Sequence, residues 1–530
     1  MLAFVAMCFG MFMAILDIQV VSASLSEIQA GLSASGDEIP WVQTSYLIAE
    51  VIAIPLSGFL SRALGTRILF SVSAAGFTVA SIMCGLSSSI DSMILWRALQ
   101  GFIGGGMVPT VFATGYLLFP GPRQKFIAPI IGLIATLAPT IGPTVGGYVT
   151  DALSWHWLFY INIAPGIVVA IATYALVDFD RPDLKLLDHF DWWGLLSMAG
   201  FLGALEYVLE EGPRNDWFDD GTITLLAIVS ALSAAVFFVR VLTAHEPIVD
   251  LRAFANRNFA VGSLFSFVLG IGLYGLTYLY PVYLAQIRGY DALMIGDTMF
   301  VSGLAMFLSA PIAGQLSQKY DPRYLLMAGF VLFAGGTWQM TYVTNDWDFW
   351  ELLWPQIFRG LGLMFAIVPV TNTALGTLAA DRVKNASGLF NLMRNLGGAI
   401  GLAAINTVLN DRMDLHLARL HEQVNWSRQP ASEMLARLTS HFQGSDAQLM
   451  ALKQVMGMAR QQATVMSFAD VFLILTVLFV GLAALGVIMR RPQPAGAAAE
   501  AHPERRRGRA YAPHYRPPHP FRLCPPGPRC

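Results

Sequence analysis

This sequence predicts an all-α polytopic membrane protein, on three observations. Of 530 residues, 55% are hydrophobic and 13% charged, with mean hydropathy +0.55, whereas a soluble chain carries about 25% charge. The charges are expelled from apolar runs that, at ~1.5 Å per helical residue, cross a ~30 Å hydrocarbon layer. Lys and Arg gather in alternate connecting loops, the mark of oriented spans. The same composition excludes other classes. A net charge of -2 with no basic aromatic module implies no nucleic-acid partner. Cys8 and Cys84 lie in apolar runs and Cys524 and Cys530 in a Pro-rich tail, without C-x-x-C or H-E-x-x-H spacing. No metal site, cofactor or disulfide framework is therefore expected. No G-x-x-x-x-G-K-[ST] occurs, so the energy for any transport comes from an ion gradient or from another subunit.

Taken in order, fourteen apolar runs read as spans. The first, Leu2–Leu25, is too long for a signal-peptide core and contains Asp17, so it is read as retained. Five more follow at Val42–Ser61, Ile68–Ser88, Ile94–Leu118, Phe126–Val149 and Leu158–Val177. Trp192–Leu209 and Thr222–Leu242 come next, then Phe259–Leu284, Leu293–Leu316, Tyr324–Val343, Leu352–Leu378, Ala386–Leu409 and Phe468–Met489. One set of loops holds Arg62 and Arg67, Arg123 and Lys125, Arg181 and Lys185, Arg252 and Arg257, Lys319 and Arg323, and Arg382 and Lys384. The opposite short loops hold only Arg214 and Arg288 among acids such as Glu27, Asp37, Asp219 and Asp346. Both termini are thus placed in the cytoplasm.

An internal repeat divides the chain. Gly58-F-L-S-R-A-L-G-T-Arg67 after span two, with Arg62 and Gly65, matches Gly314-Q-L-S-Q-K-Y-D-P-Arg323 after span ten, with Asp321. Arg97 in span four matches Arg359 in span twelve. This register requires a six-helix half at 1–177, two inserted helices at 178–257, and a second half at 258–491. An exterior loop at 410–466 is expected to hold short amphipathic helices, with Leu449, Leu452, Met456 and Ala459 on one stripe. Residues 492–530 read as a disordered basic, Pro-rich cytoplasmic tail, with Arg505, Arg506, Arg507 and Arg509 able to touch anionic lipid.

Span five carries Gly132, Pro139, Gly142, Pro143, Gly146 and Gly147. Pro139, Gly142, Pro143 and Gly146 share one helical face, and small residues there let another backbone approach closely. Taken alone, the Gly142/Gly146 pair is a packing seam; the full pattern predicts a bent helix on which one bundle rocks. Asp17 is costly in an apolar run unless partnered or protonated, and Arg97, at similar depth in span four, is its natural partner. Such a pair can bind and release a proton as access alternates. Gln100 follows one turn after Arg97. Glu50, Glu206 and Arg394 are further candidates for a substrate cavity, with Phe102, Phe112, Tyr274 and Tyr278 as aromatic walls for lipophilic cations. Packing and interfacial anchoring are the alternative reading for these aromatics.

As a set, these motifs resemble the fourteen-helix drug:proton antiporters of the EmrB/QacA type within the major facilitator superfamily. Leu16-Asp17 with Val20-Val21, Trp41-V-Q-T-S-Tyr46, Arg97-x-x-Gln100-Gly101, Gly142-Pro143-x-x-Gly146-Gly147 and Trp155-His-Trp-x-Phe159-Tyr-x-Asn162 carry the likeness. It implies a major facilitator fold in a bacterial inner (plasma) membrane, proton-driven export of hydrophobic drugs, and coupling at Asp17 and Arg97. A periplasmic adaptor and a TolC-type outer channel are partners of such exporters. Two departures stand out: Arg62 replaces the usual acid of the loop motif, and His156 replaces the usual arginine. Export of one metabolite, such as a siderophore or amino acid, and a non-transporting receptor remain rival readings.

Overall fold

The computed structural model describes residues 2–22, 24–119, 126–188, 190–244, 247–423, 428–442 and 446–486. Arg123, Lys125, the two tail cysteines and the basic tail cluster lie outside these residues. Among the described residues every long element is a helix. The first half-chain gives α1 (Leu2–Ser22), α2 (Trp41–Ala63), α3 (Thr66–Gly85), α4 (Ile90–Leu118, interrupted at Gly105–Gly106), α5 (Ile127–Ala152) and α6 (Trp157–Leu176). Then come α7 (Trp192–Glu211), α8 (Gly221–Thr243), α9 (Arg257–Tyr283) and α10 (Ala292–Lys319). The last are α11 (Pro322–Met340), α12 (Phe349–Leu375), α13 (Ala380–Gln423) and α14 (Ala447–Leu485).

Thirteen of these are long and apolar enough to cross a membrane. α11 falls short because Arg323 at its start and Gln339 at its end dilute a 19-residue helix. Packing holds it instead: α12 and α14 cover it, and a Cβ on Gly329 would lie 2.7 Å from the Ala366 nitrogen. Polar residues begin the helices where the chain leaves a loop. Asp191, Asp220, Asn256 and Asp321 each accept a hydrogen bond from the first turn of α7, α8, α9 and α11, and Asp348 with Glu351 forms a capping box on α12.

α1 packs against α5, α4 and α6, α2 against α4, and α3 against α4 and α6; α9 packs against α13 and α12, and α10 against α12. Glycine permits the closest of these contacts. A Cβ on Gly397 would lie 1.8 Å from the Phe267 carbonyl oxygen and one on Gly270 2.0 Å from that of Arg394, so α9 and α13 touch backbone to backbone. The inserted helices differ in burial. α7 leans on α2, with Tyr207 against Trp41 at 5.3 Å and Gly203 against Ile48 and Ile52, and it also meets α13. α8 is only 11% buried, leaving an apolar surface for lipid.

Two expectations are corrected here. The exterior segment is not a loop of separate short helices. α13 runs 44 residues and α14 39; at ~1.5 Å per residue, ~66 Å and ~58 Å, both project well beyond a ~30 Å layer. A 13-residue helix, Gln429–His441, packs on the projection. Its core is Leu435 with Ala451 and Val455, whereas Leu449 is 67% and Met456 46% exposed. Of the expected stripe only Leu452 packs against this core, because the face turned inward is that of Ala451 and Val455, while Leu449 and Met456 point outward.

The small face of α5 also has a different partner. A Cβ on Gly142 would lie 2.4 Å from Gln19 Cβ, and one on Gly146 2.8 Å from the Val20 oxygen, both on α1. That seam lies inside the first six helices rather than between them and the last six. Contact with the later helices comes from another face of α5, where Gly296 and Gly303 of α10 approach Thr144, Thr140 and Leu137, and Gly132 approaches Ile367 of α12. Pro139 is buried and Pro143 half-buried in the same helix.

Candidate functional site

Asp17 is wholly inside the protein, and four helices supply its surroundings. Arg97 Nη1 on α4 donates to Asp17 Oδ2 at 2.6 Å, and both side chains are 0% exposed. Gln100 Nε2, one turn later, donates to Oδ1 at 3.2 Å, and Asn162 Nδ2, at the break in α6, donates to the same oxygen at 2.7 Å. Asn162 also reaches Ser81 Oγ on α3 at 3.0 Å, and Ser81 donates to the Phe159 carbonyl at 2.9 Å. The guanidinium donates through Nε to the Val42 carbonyl at 3.2 Å and sits 4.3 Å above the Tyr46 ring. Gly101 makes this geometry possible, since a Cβ there would lie 2.3 Å from the Tyr46 oxygen and push α4 off α2. Three donors, one of them the Arg97 guanidinium, meet the carboxylate; adding a proton removes the countercharge of Arg97 and breaks at least one hydrogen bond. The array therefore couples protonation to the fit of α1, α3, α4 and α6.

Asp17 and Arg97 meet as the sequence predicts. Gln100 belongs to this array and not to a substrate cavity. Neither Asn162 nor Ser81 was given this role: Asn162 closes the Trp155-to-Asn162 motif, and the signal for Ser81 is only a polar residue interrupting an apolar run.

A second polar group lines a central cavity between α1, α2, α9 and α13, with Gln19, Glu50, Tyr274, Asn391, Arg394 and Asn395 in its wall. Arg394 Nη2 donates to Asn391 Oδ1 at 2.6 Å, its guanidinium lies 5.4 Å over the Phe112 ring, and Tyr274 donates to Asn395 Oδ1 at 3.2 Å. Glu50 thus shares its cavity with a fixed cation. Phe112 is buried beneath this wall, but Phe102 is 43% exposed on the outer face of α4 and lines nothing. Tyr278 lies outside the wall, and so does Glu206, which is buried on α7 and feels the charges of the acids Glu210 and Glu50.

The basic-loop side is closed. Lys384 Nζ at the start of α13 donates to the Asp180 carboxylate and, at 2.9 Å, to the Ser61 carbonyl. Thr66 donates to the same carboxylate through its N–H at 2.9 Å and its hydroxyl at 2.7 Å. Ser387 Oγ reaches the Pro109 carbonyl at 2.9 Å, Tyr116 reaches Asn372 at 3.0 Å, and Gly58 allows the Asn385 backbone to approach. Asp180, absent from the sequence-level candidates, thus provides an acid beside the loop motif that lacks one. Gly65 takes a φ of 78° there, Arg67 lies 4.4 Å over Tyr174, and Arg62 lies over Phe59. In the repeat, Gly314 lies within the last two turns of α10, and Asp321 caps α11 and pairs with Arg323 at 3.7 Å.

Burial raises the Asp180 pKa, but hydrogen bonds from Lys384 and Thr66 outweigh it, so the carboxyl titrates below the usual aspartate range. A depressed pKa means that this contribution is present above the ordinary aspartate pKa and lost only as pH falls through the depressed one. Closure is therefore insensitive to pH near neutrality. Asp180→Asn is expected to raise the rate at which a cysteine placed at Ser387 reacts with an impermeant maleimide from this side by ~3–10-fold. Unchanged labelling would remove Asp180 from the closure.

Comparisons with known proteins agree with this architecture. The Major Facilitator Superfamily profile matches residues 7–402. The colistin resistance protein EmrB of Acinetobacter baumannii is 43% identical over 492 residues, covering 92% of this chain and 96% of its own. The multidrug export protein EmrB of Escherichia coli K12 is 30% identical, covering 93% and 95%. Among solved structures, the human organic anion transporter MFSD10 matches in fold alone, with a TM-score of 0.57 at 12% identity over 90% of this chain and 99% of that one. The chain belongs to the Major Facilitator Superfamily and, within it, to the EmrB/QacA type of multidrug transporter: an integral membrane transporter of small molecules, not an enzyme.

Proposed function

We propose that the protein exports hydrophobic, cationic or amphiphilic drugs across the bacterial inner membrane in exchange for protons. Two six-helix halves, 1–177 and 258–491, alternate access around the central cavity, with 178–257 inserted between them. The observation that carries this reading is the fully buried Asp17–Arg97 pair, with donors to Asp17 from α4 and α6 and with Ser81 of α3 accepting from Asn162. No other buried acid among the described residues has so complete a set of partners. In proteoliposomes, adding a drug to the loaded side should release or consume protons; no proton movement with any drug of a broad panel would overturn antiport.

The preference for cations is assigned to Glu206, which lies outside the wall of the cavity in this closed state, rather than to Glu50, because Arg394 shares the cavity with Glu50 whereas the charged groups acting on Glu206 are the acids Glu210 and Glu50. Glu206→Gln should weaken export of a lipophilic cation at least ~5-fold more than that of a neutral drug of similar size, in line with ~1 kcal/mol of lost charge attraction. Glu50→Gln should show a smaller difference. Equal loss of both drugs in Glu206→Gln would end the charge argument.

The long projection of α13 and α14 supports docking of a periplasmic adaptor and, through it, a TolC-type channel. Excising residues 426–461 should spare transport in vesicles while abolishing resistance in cells. Loss of vesicle transport would instead make the projection part of the pore.

A further inference from the structure

The second half of the protein buries a permanent positive charge that no acid balances among the described residues. Arg359 on α12 is 1% exposed, and a guanidinium does not deprotonate in a protein. Its Nη2 donates to Thr277 Oγ1 on α9 at 2.6 Å, and it lies 5.5 Å over the Tyr280 ring. Its Nε and Nη1 have no hydrogen-bond partner among the described residues. The shortage is shared by neighbours on the same two helices. Tyr280, one turn after Thr277, has an unpartnered buried hydroxyl, and Gln356, one turn before Arg359, has an unpartnered buried Oε1. Orphaned groups clustered in this way point to a bound water or ion, and a buried charge left without a countercharge is strongly destabilising.

The repeat identifies what is missing. Arg97 on α4 and Arg359 on α12 are 262 residues apart and occupy corresponding spans. The residue corresponding to Asp17 falls on α9, where Thr277 lies 260 residues after it and makes the contact to the arginine. The first half thus neutralises its arginine with a carboxylate at 2.6 Å, and the second meets its arginine with a hydroxyl at the same distance.

We propose that Arg359, Thr277 and Tyr280 bind a small inorganic monovalent anion of chloride size. The ion supplies to the second half the negative charge that Asp17 supplies to the first. An unpartnered N–H of the Arg359 guanidinium and the Tyr280 hydroxyl are its donors, and it is structural rather than transported. The inference is independent of proton coupling at Asp17.

The test is the unfolding temperature of the full chain in lipid nanodiscs, read by tryptophan fluorescence in sodium chloride and in sodium gluconate at equal ionic strength. Wild type should melt ~2–4 °C higher in about 100 mM chloride than in gluconate. Arg359→Gln should lose that difference. Thr277→Asp, which places a carboxylate where the ion would act, should be as stable in gluconate as wild type is in chloride and should no longer respond. Equal melting of wild type in the two salts would overturn the proposal. So would a chloride response that survives in Thr277→Asp, which decides the matter if Arg359→Gln fails to accumulate.

Discussion

Asp17→Asn should reach the membrane at near wild-type levels and yet lose efflux driven by a pH gradient. The amide keeps one oxygen for Arg97, but it cannot cycle a proton, and its NH2 faces the donors of Gln100 or Asn162. The lost hydrogen bonds and the unbalanced guanidinium should cost ~1–3 kcal/mol of stability. Arg97→Ala is the harsher change, ~3–5 kcal/mol, because it strands a buried carboxylate. Drug export by everted vesicles under an imposed gradient, normalised to protein amount, is the measurement. Gradient-driven export by Asp17→Asn at the wild-type rate would sink the assignment of the proton site. Substrate exchange without a gradient should survive in Asp17→Asn, which distinguishes lost coupling from a broken cavity.

The second large effect is expected at Gly296. A Cβ there would lie 1.9 Å from Thr144 Oγ1 and 2.5 Å from Thr144 Cβ, across the contact between α10 and α5. Gly296→Leu should force those helices apart, and overpacking of ~1–3 kcal/mol shifts a two-state equilibrium by ~5–150-fold. Transport should fall by at least ~10-fold while the Asp17 array stays intact. Gly146→Leu should behave differently. Its clash is with the Val20 backbone on α1, three residues beyond Asp17, so it should lower the melting temperature of the whole protein and disturb coupling together. If Gly296→Leu exports normally and Gly146→Leu does not, α5 and α10 do not move against each other during transport.

Much of this architecture is legible in the residues. Apolar runs must be helices in lipid because only a helix satisfies its own backbone there, so thirteen spans could be read without coordinates. α11 was legible too, although its hydropathy is diluted and packing holds it. The Asp17–Arg97 pair was legible for a related reason: a buried carboxylate needs a countercharge, and few cations lie at its depth. Asn162 and Ser81 were not, because a neutral polar side chain in a span has many ways to be satisfied, including its own helix backbone.

What only the tertiary structure decided is which neighbour covers each face. Lipid tails and protein interiors are equally apolar, so the sequence pattern does not separate an outward Phe102 from a buried Phe112. Small residues on α5 announced a close contact, but that α1 makes it, and that α10 supplies its own glycines to another face, depends on the packing of the whole bundle. For Glu50, Arg394 is 344 residues away in the chain yet in the wall of the same cavity. Periodicity in one helix specifies a face; only the arrangement of the other helices specifies what meets it.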